Sequence, residues 1–202
     1  MDRRSFLAAG VAGAAVTTGA MNLLAAEKSN NVTENKNEKT SNTQEKKMKI
    51  VVTADPFATD LKNAIVKHLK EKGHTVLEVT DAGGKDPAYY DGAVEASKYL
   101  ADGRAERGIF FCGTGMGMSI LANKQPSVVA AVVESVWAAK MCRAVNNANV
   151  LCLGAMLWGE WMAKDAVDAF LTTNLADGLP DFKDFLVDAD KKCRAIDAAS
   201  RK

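Results

Sequence analysis

From Met48 onward the sequence predicts an α/β fold: a three-layer sandwich with helices covering both faces of a parallel sheet. Two observations carry this. Short, continuously apolar runs rich in β-branched residues recur along the chain, as expected of strands buried on both faces. Between them lie stretches whose apolar residues fall four apart, the spacing of an amphipathic helix. Strands alternating with helices make the strands parallel and the helices crossovers.

The elements follow in order. "KIVVTAD" is the first strand, ending in a polar turn at Asp55. Leu61, Ile65 and Leu69 mark a helix that closes at "EKGH". "TVLEV" is the second strand, and a helix then runs through Tyr89, Ala93, Val94, Ser97 and Leu100. "RGIFFC" is the third strand and "SVVAAVV" the fourth. A helix through Trp137, Met141 and Val145 leads to "NVLCLG", the fifth strand. "EWMAKDAVDAFLTT" and "DFKDFLVDADKKCRAIDAAS" are closing helices. In such a sheet ligands sit beyond the carboxyl ends of the strands, where the strand order switches. Asp55 and Cys112 end the first and third strands, so both are expected at that edge.

Residues 1–47 are of another kind. Arg3 and Arg4 precede a mild apolar run from Phe6 to Ala26, rich in Ala, Gly and Thr. Residues 1–26 read as a twin-arginine-type signal peptide, cleaved near Ala25 or Ala26, which implies export to a bacterial periplasm. Residues 27–47 are polar and nearly free of aliphatics, so they cannot bury enough surface to offset chain entropy. They read as a disordered linker, leaving residues 48–202 as the folded domain, with no stable membrane span once the signal is cleaved.

Composition narrows the function classes. A chain of 202 residues with net charge +1 gives no case for nucleic-acid binding on charge. Its four cysteines, Cys112, Cys142, Cys152 and Cys193, lack CxxC spacing, and there are two histidines. A structural zinc site is not expected. His68 and His74 are expected as solvated surface groups, and Cys142, Cys152 and Cys193 as packing positions.

The chemistry concentrates in "FFCGTGMGMSILANK", residues 110–124. Gly113, Gly115 and Gly117 admit positive φ and close backbone approach. Their N–H groups, with the start of the next helix, form a possible anion nest. Cys112 before a helix N-terminus would have its thiolate favoured, or would simply be a small buried residue at a strand end. The loop matches neither a Walker A motif nor a full dinucleotide fingerprint.

That stretch, with "RAVNNANVLCLGAMLWG" and "AVDAFLTT" after it, resembles the ribose-5-phosphate isomerase B family, which includes the galactose-6-phosphate isomerase subunits. The resemblance spans roughly residues 48–196. It implies a five-stranded Rossmann-like sheet and a homodimer with sites at the subunit interface. It also implies interconversion of aldose and ketose phosphates with neither metal nor cofactor. On that pattern Cys112 is the base that moves a proton between C2 and C1. The backbone of Gly113, Thr114, Gly115, Met116 and Gly117 is the oxyanion nest, with the Thr114 side chain a nearby hydrogen-bonding group. Asp55, Asn146 and Asn149 would hold substrate hydroxyls, the asparagines from the partner subunit.

The departures matter as much. The family's first strand commonly ends in Asp-His; here Pro56 follows Asp55. A ring-opening histidine usually begins an "HNDxN" motif, where Val145 now stands. The phosphate-gripping "GGRH" stretch reads "DGLPDFK", with Leu179 and Pro180 in it and Lys183 as the cation left there. A phosphate dianion facing Leu179 and Pro180 would lack charge-assisted bonds. An exported relative would meet unphosphorylated sugar or another polyol-like ligand. Tyr89, Tyr90 and Trp137 are candidate pocket aromatics or packing residues. Three functions stay open: a cysteine-based sugar isomerase or epimerase, a non-catalytic sugar-binding protein on the same scaffold, and a thiol redox protein.

Overall fold

The computed structural model describes residues 46–201. The signal segment and all but the last two residues of the linker lie outside the described residues. Five strands, β1 (Lys49–Ala54), β2 (Thr75–Glu78), β3 (Arg107–Cys112), β4 (Ala130–Val132) and β5 (Val150–Gly154), form one sheet in the order β2-β1-β3-β5-β4. Every pairing is parallel. The expected five-stranded Rossmann-like sandwich is what forms.

Six helices connect the strands: α1 (Thr59–Glu71), α2 (Tyr89–Ala101), α3 (Met116–Ala122), α4 (Val136–Ala144), α5 (Glu160–Thr172) and α6 (Lys183–Ser200). Helices α1, α4 and α5 pack in one layer, and α2 packs with α3. Side chains alternate across the pleat, so each strand feeds two cores. Ile50, Val52, Ile109, Phe111, Leu151 and Leu153 face one, which also holds Ile65, Leu69, Val167 and Phe170. Val51, Phe110, Cys112, Val150 and Cys152 face the other, with Ala93, Ala96 and Met118. Burying a side chain such as Ile65 or Leu69 stabilises the fold by about 1.5–3 kcal/mol.

Chain direction changes between β1 and β3. From β1 the chain crosses to β2 through α1 on one face; from β3 it enters α3 on the other. The loops after these adjacent strands therefore diverge and open a crevice at the carboxyl edge. Asp55 and Cys112 lie there: the Asp55 N–H donates to the Phe111 carbonyl at 3.1 Å.

Four expectations need correction. His74 is buried rather than solvated, and its Nδ1 accepts the Met48 N–H at 3.3 Å. His68 is drawn into an ion pair, its Nε2 lying 2.9 Å from Asp168 Oδ1. The helix through Trp137, Met141 and Val145 exists, but that stripe is not its packing face. Ala139, Cys142 and Arg143 are buried instead, Trp137 is 71% exposed, and Val145 follows the last turn. Small residues there bring α4 close to α5 and turn the larger ones outward. Finally, β4 begins at Ala130 rather than Ser127, because Ser127 takes a positive φ of 63°.

Candidate active site

Cys112 is the last residue of β3 and 5% exposed. Its Sγ accepts the Gly115 N–H at 3.1 Å, so the sulfur is turned into the loop that follows it. The loop is fastened to β5 by two backbone bonds. Ala155 N–H donates to Cys112 O, and Met156 N–H to Gly113 O, both at 2.9 Å. The Thr114 Oγ1 accepts the Met116 N–H at 3.3 Å.

The three loop glycines serve different purposes. Gly115 alone of them has a positive φ, 76°, and a side chain there would also press on Leu153 and Val132. Gly117 lies inside α3 beneath the Tyr89 ring, 2.9 Å from where its Cβ would stand. Gly113 adopts neither restriction, so positive φ at all three positions is corrected to one. The amides of Gly115 and Met116 point at Sγ and at the Thr114 hydroxyl, so the nest is lined by the loop's own acceptors.

Asp55 stands beside this loop. Its Oδ1 accepts the Phe57 N–H at 3.0 Å and caps the 3-10 turn Pro56–Ala58. Burial pushes its carboxyl above the ordinary aspartate value, with Asp86 adding to the rise; the amides of Phe57, Ala58 and Gly113 work against it. Behind it, Lys62 Nζ lies 2.6 Å from Asp86 Oδ1, and Thr59 Oγ1 donates to Asp86 Oδ2 at 2.7 Å. These groups border a cavity of about 770 Å³ between α1 and the loop 80–86.

The remaining sequence-predicted residues lie at the other edge. Asn146 and Asn149 precede β5, whose far end, Gly154, pairs with Cys112. Asn149 is committed to its own chain: Oδ1 accepts the Val129 N–H at 2.8 Å and Nδ2 donates to Ser127 O at 2.7 Å. Asn146 is exposed in a cleft of about 480 Å³ that Val145, Asp190 and Arg194 also line. Lys183 opens α6, exposed, after the chain has run down α5 away from the carboxyl edge. One chain thus gathers Asp55, Cys112 and residues 113–117 at one edge and Asn146, Asn149 and Lys183 at the other.

Three residues at the loop escaped the sequence reading. Gly154 is one: a Cβ there would stand 2.5 Å from the Thr114 carbonyl carbon. Its place at the end of "NVLCLG" was the available signal. Phe57 and Met156 are the others, with Met156 Cε 3.4 Å and Phe57 Cδ1 3.9 Å from a Cβ placed on Gly113. Tyr89 and Tyr90 meet edge to face, centroids 5.2 Å apart, with Tyr89 over Gly117. All four cysteines are free thiols; Cys142 and Cys152 are buried as expected, but Cys193 is exposed. Among the described residues no group of His, Cys, Asp and Glu is placed to hold a metal ion, and no helix is long and apolar enough to cross a membrane.

Comparison with known proteins places the chain. Residues 50–181 match the family described as Ribose/Galactose Isomerase. A 4-deoxy-4-sulfo-D-erythrose isomerase of Clostridium sp. (strain MSTE9) is 37% identical over 155 residues, covering 74% of this chain and 96% of that protein. A D-erythrulose-4-phosphate isomerase of Pectobacterium atrosepticum is 39% identical over 132 residues, 65% of this chain and 87% of that one. The solved structure of Clostridium thermocellum ribose-5-phosphate isomerase B superposes with a TM-score of 0.68 at 33% identity, covering 76% of this chain and 99% of that one.

Proposed function

The chain belongs to the ribose/galactose isomerase family, and we propose that it is an aldose–ketose isomerase or epimerase acting on a sugar or sugar phosphate, with the Cys112 thiolate as base. The thiolate takes the C2 proton of the open-chain aldose. The C–H electron pair becomes the C1–C2 double bond, and the carbonyl pair moves onto O1 to give the enediolate. The hydrogen on O2 passes to O1, and the Cys112 thiol returns its proton to C1, leaving the ketose. Atoms and electrons balance within the sugar and one side chain.

The observation that carries this is the 3.1 Å contact between the Gly115 N–H and Cys112 Sγ. A substrate oxygen set beside the sulfur meets that amide, and the Thr114 hydroxyl and Met116 amide follow it in the loop. Fixed donors aimed at a developing oxyanion are typically worth about 3 kcal/mol each. Asp55, next to the loop, is placed to hold a hydroxyl.

The two-edge arrangement supports a homodimer. Asn146 and Lys183 lie at the edge away from Cys112 in their own chain, so they reach a sugar there when a second copy supplies them. The Arg3–Arg4 segment supports export of this dimer to the periplasm. Steady-state isomerisation of free and phosphorylated tetroses and pentoses tests the activity. Cys112→Ala is expected to abolish turnover and retain sugar binding.

A sugar-binding protein on the same scaffold is the second reading. The observation favouring it is Val145, half-exposed and unable to move a proton where the family's histidine would stand. Binding without turnover in the wild-type chain would decide for it.

A further inference from the structure

We infer that Phe57 and Met156 form an apolar jaw over the Cys112 loop that selects a substrate uncharged at the end it presents to them. The substrate is then a free short-chain aldose or ketose rather than its phosphate ester or sulfonate. The inference rests on the isomerase reading above and names the substrate class and the residues that choose it.

Both residues are pinned to Gly113, the neighbour of the base. Met156 holds it from β5, its N–H donating to the Gly113 carbonyl at 2.9 Å. Phe57 holds it through Asp55, whose carboxylate accepts the Phe57 N–H at 3.0 Å and the Gly113 N–H as well. Their side chains then close over Gly113 from two sides, at 3.4 and 3.9 Å from the position of a Cβ on it. Yet Phe57 is 69% and Met156 61% exposed, so neither completes the core beneath. Two large apolar side chains, fixed by their backbones and open to water, stand at the mouth beside Cys112.

The chemistry of that mouth discriminates by charge. The side chains nearest Gly113, Gly115 and Gly117 are Met156, Phe57, Val132 and Tyr89, and none carries a cation. The ionisable group tied to the loop is Asp55, a carboxylate. A phosphate or sulfonate seated there would give up hydration without gaining a charge-assisted bond, against a group of its own sign. The C–H face of a free sugar loses little water on the Phe57 ring and the Met156 thioether, and gains apolar contact.

The test compares kcat/KM of the full-length chain for D-erythrose with D-erythrose 4-phosphate, and for D-ribose with D-ribose 5-phosphate. The free sugars are expected to be preferred. Met156→Arg is expected to raise kcat/KM for the phosphorylated sugars by about tenfold or more, and Phe57→Ala to lower it about tenfold for the free ones, chiefly through KM. Both side chains are exposed, so melting temperatures should stay near wild type. Binding of the same four sugars to Cys112→Ala, followed by NMR, reads the preference without turnover. A wild-type preference for the phosphorylated member of each pair overturns the jaw and leaves the isomerase reading standing. So does a Met156→Arg variant whose preference is unchanged. Absence of turnover with free sugars still bound preferentially overturns the isomerase reading while the charge selection survives.

Discussion

Gly154 and Thr114 are in backbone contact: a methyl group on Gly154 would stand 2.5 Å from the Thr114 carbonyl carbon and 2.7 Å from its Cα. The end of β5 is therefore the floor on which the Cys112 loop rests, and the loop cannot rise without leaving its hydrogen bonds to Ala155 and Met156. Gly154→Ala is predicted to cost about 1–3 kcal/mol by overpacking. It should also lower turnover more than Gly159→Ala, since nothing lies within 4 Å of a Cβ at Gly159. Thermal melts and kcat of the two variants check this.

The buried ion pair behind Asp55 gives a second prediction. Lys62 and Asp86 side chains are 7% and 4% exposed, so removing one partner strands the other. Asp86→Ala is expected to destabilise the fold by about 3–5 kcal/mol, and Lys62→Met with Asp86→Leu to recover most of it. Urea denaturation of the three proteins decides. Equal losses in the single and double variants would show that the pair has no such role.

Asp55 gives a pH dependence. Its folded-state pKa is raised, chiefly by burial, so the native chain holds a proton at pH values where the unfolded chain has lost it. Stability therefore falls as pH rises from the ordinary aspartate range through the folded value, and stays lower above it. Asp55→Asn keeps an acceptor for the Phe57 N–H and removes the titration. Its stability relative to wild type should grow between about pH 4 and pH 7. A constant difference across that range contradicts the assignment.

Thiol reactivity should follow exposure. Cys193 is exposed and is expected to react first with an alkylating reagent. Burial pushes the Cys142 thiol up to about 11 and Cys152 well above its ordinary value, so both should stay unmodified until the chain unfolds. Mass spectrometry of a timed reaction gives the order. Early labelling of Cys152 would contradict the packing described for β5.

If two copies complete each site, Cys112→Ala and Asn146→Ala should each be inactive, while a refolded mixture should regain about a quarter of wild-type activity. Half the dimers in such a mixture are hybrids, and each hybrid holds one intact site. A mixture as inactive as its parents would place the asparagine outside the site.

Strand and helix order was legible because period and composition decide it locally. Leu61, Ile65 and Leu69 could face nothing but a sheet, and "RGIFFC" had no polar face to leave in water. Asp55 and Cys112 were placed together by strand ends alone, and the structure joins them through Phe111. What failed depended on neighbours distant in sequence. The outward stripe of α4 follows from its close packing on α5, and His74 is buried by Met48, which lies 26 residues earlier. The role of Gly154 is a contact between two loops. Phe57 and Met156 stand 99 positions apart, and their meeting at Gly113 exists once β1, β3 and β5 lie side by side.

The most direct test of the account is proton exchange at the substrate carbons. The full-length chain is incubated in deuterated water with D-erythrose, D-ribose and their phosphates, and NMR follows deuterium entering C1 or C2. Incorporation that disappears in Cys112→Ala is the predicted result. Incorporation that persists in Cys112→Ala would contradict Cys112 as the base, and its absence across the panel would contradict the enediolate itself.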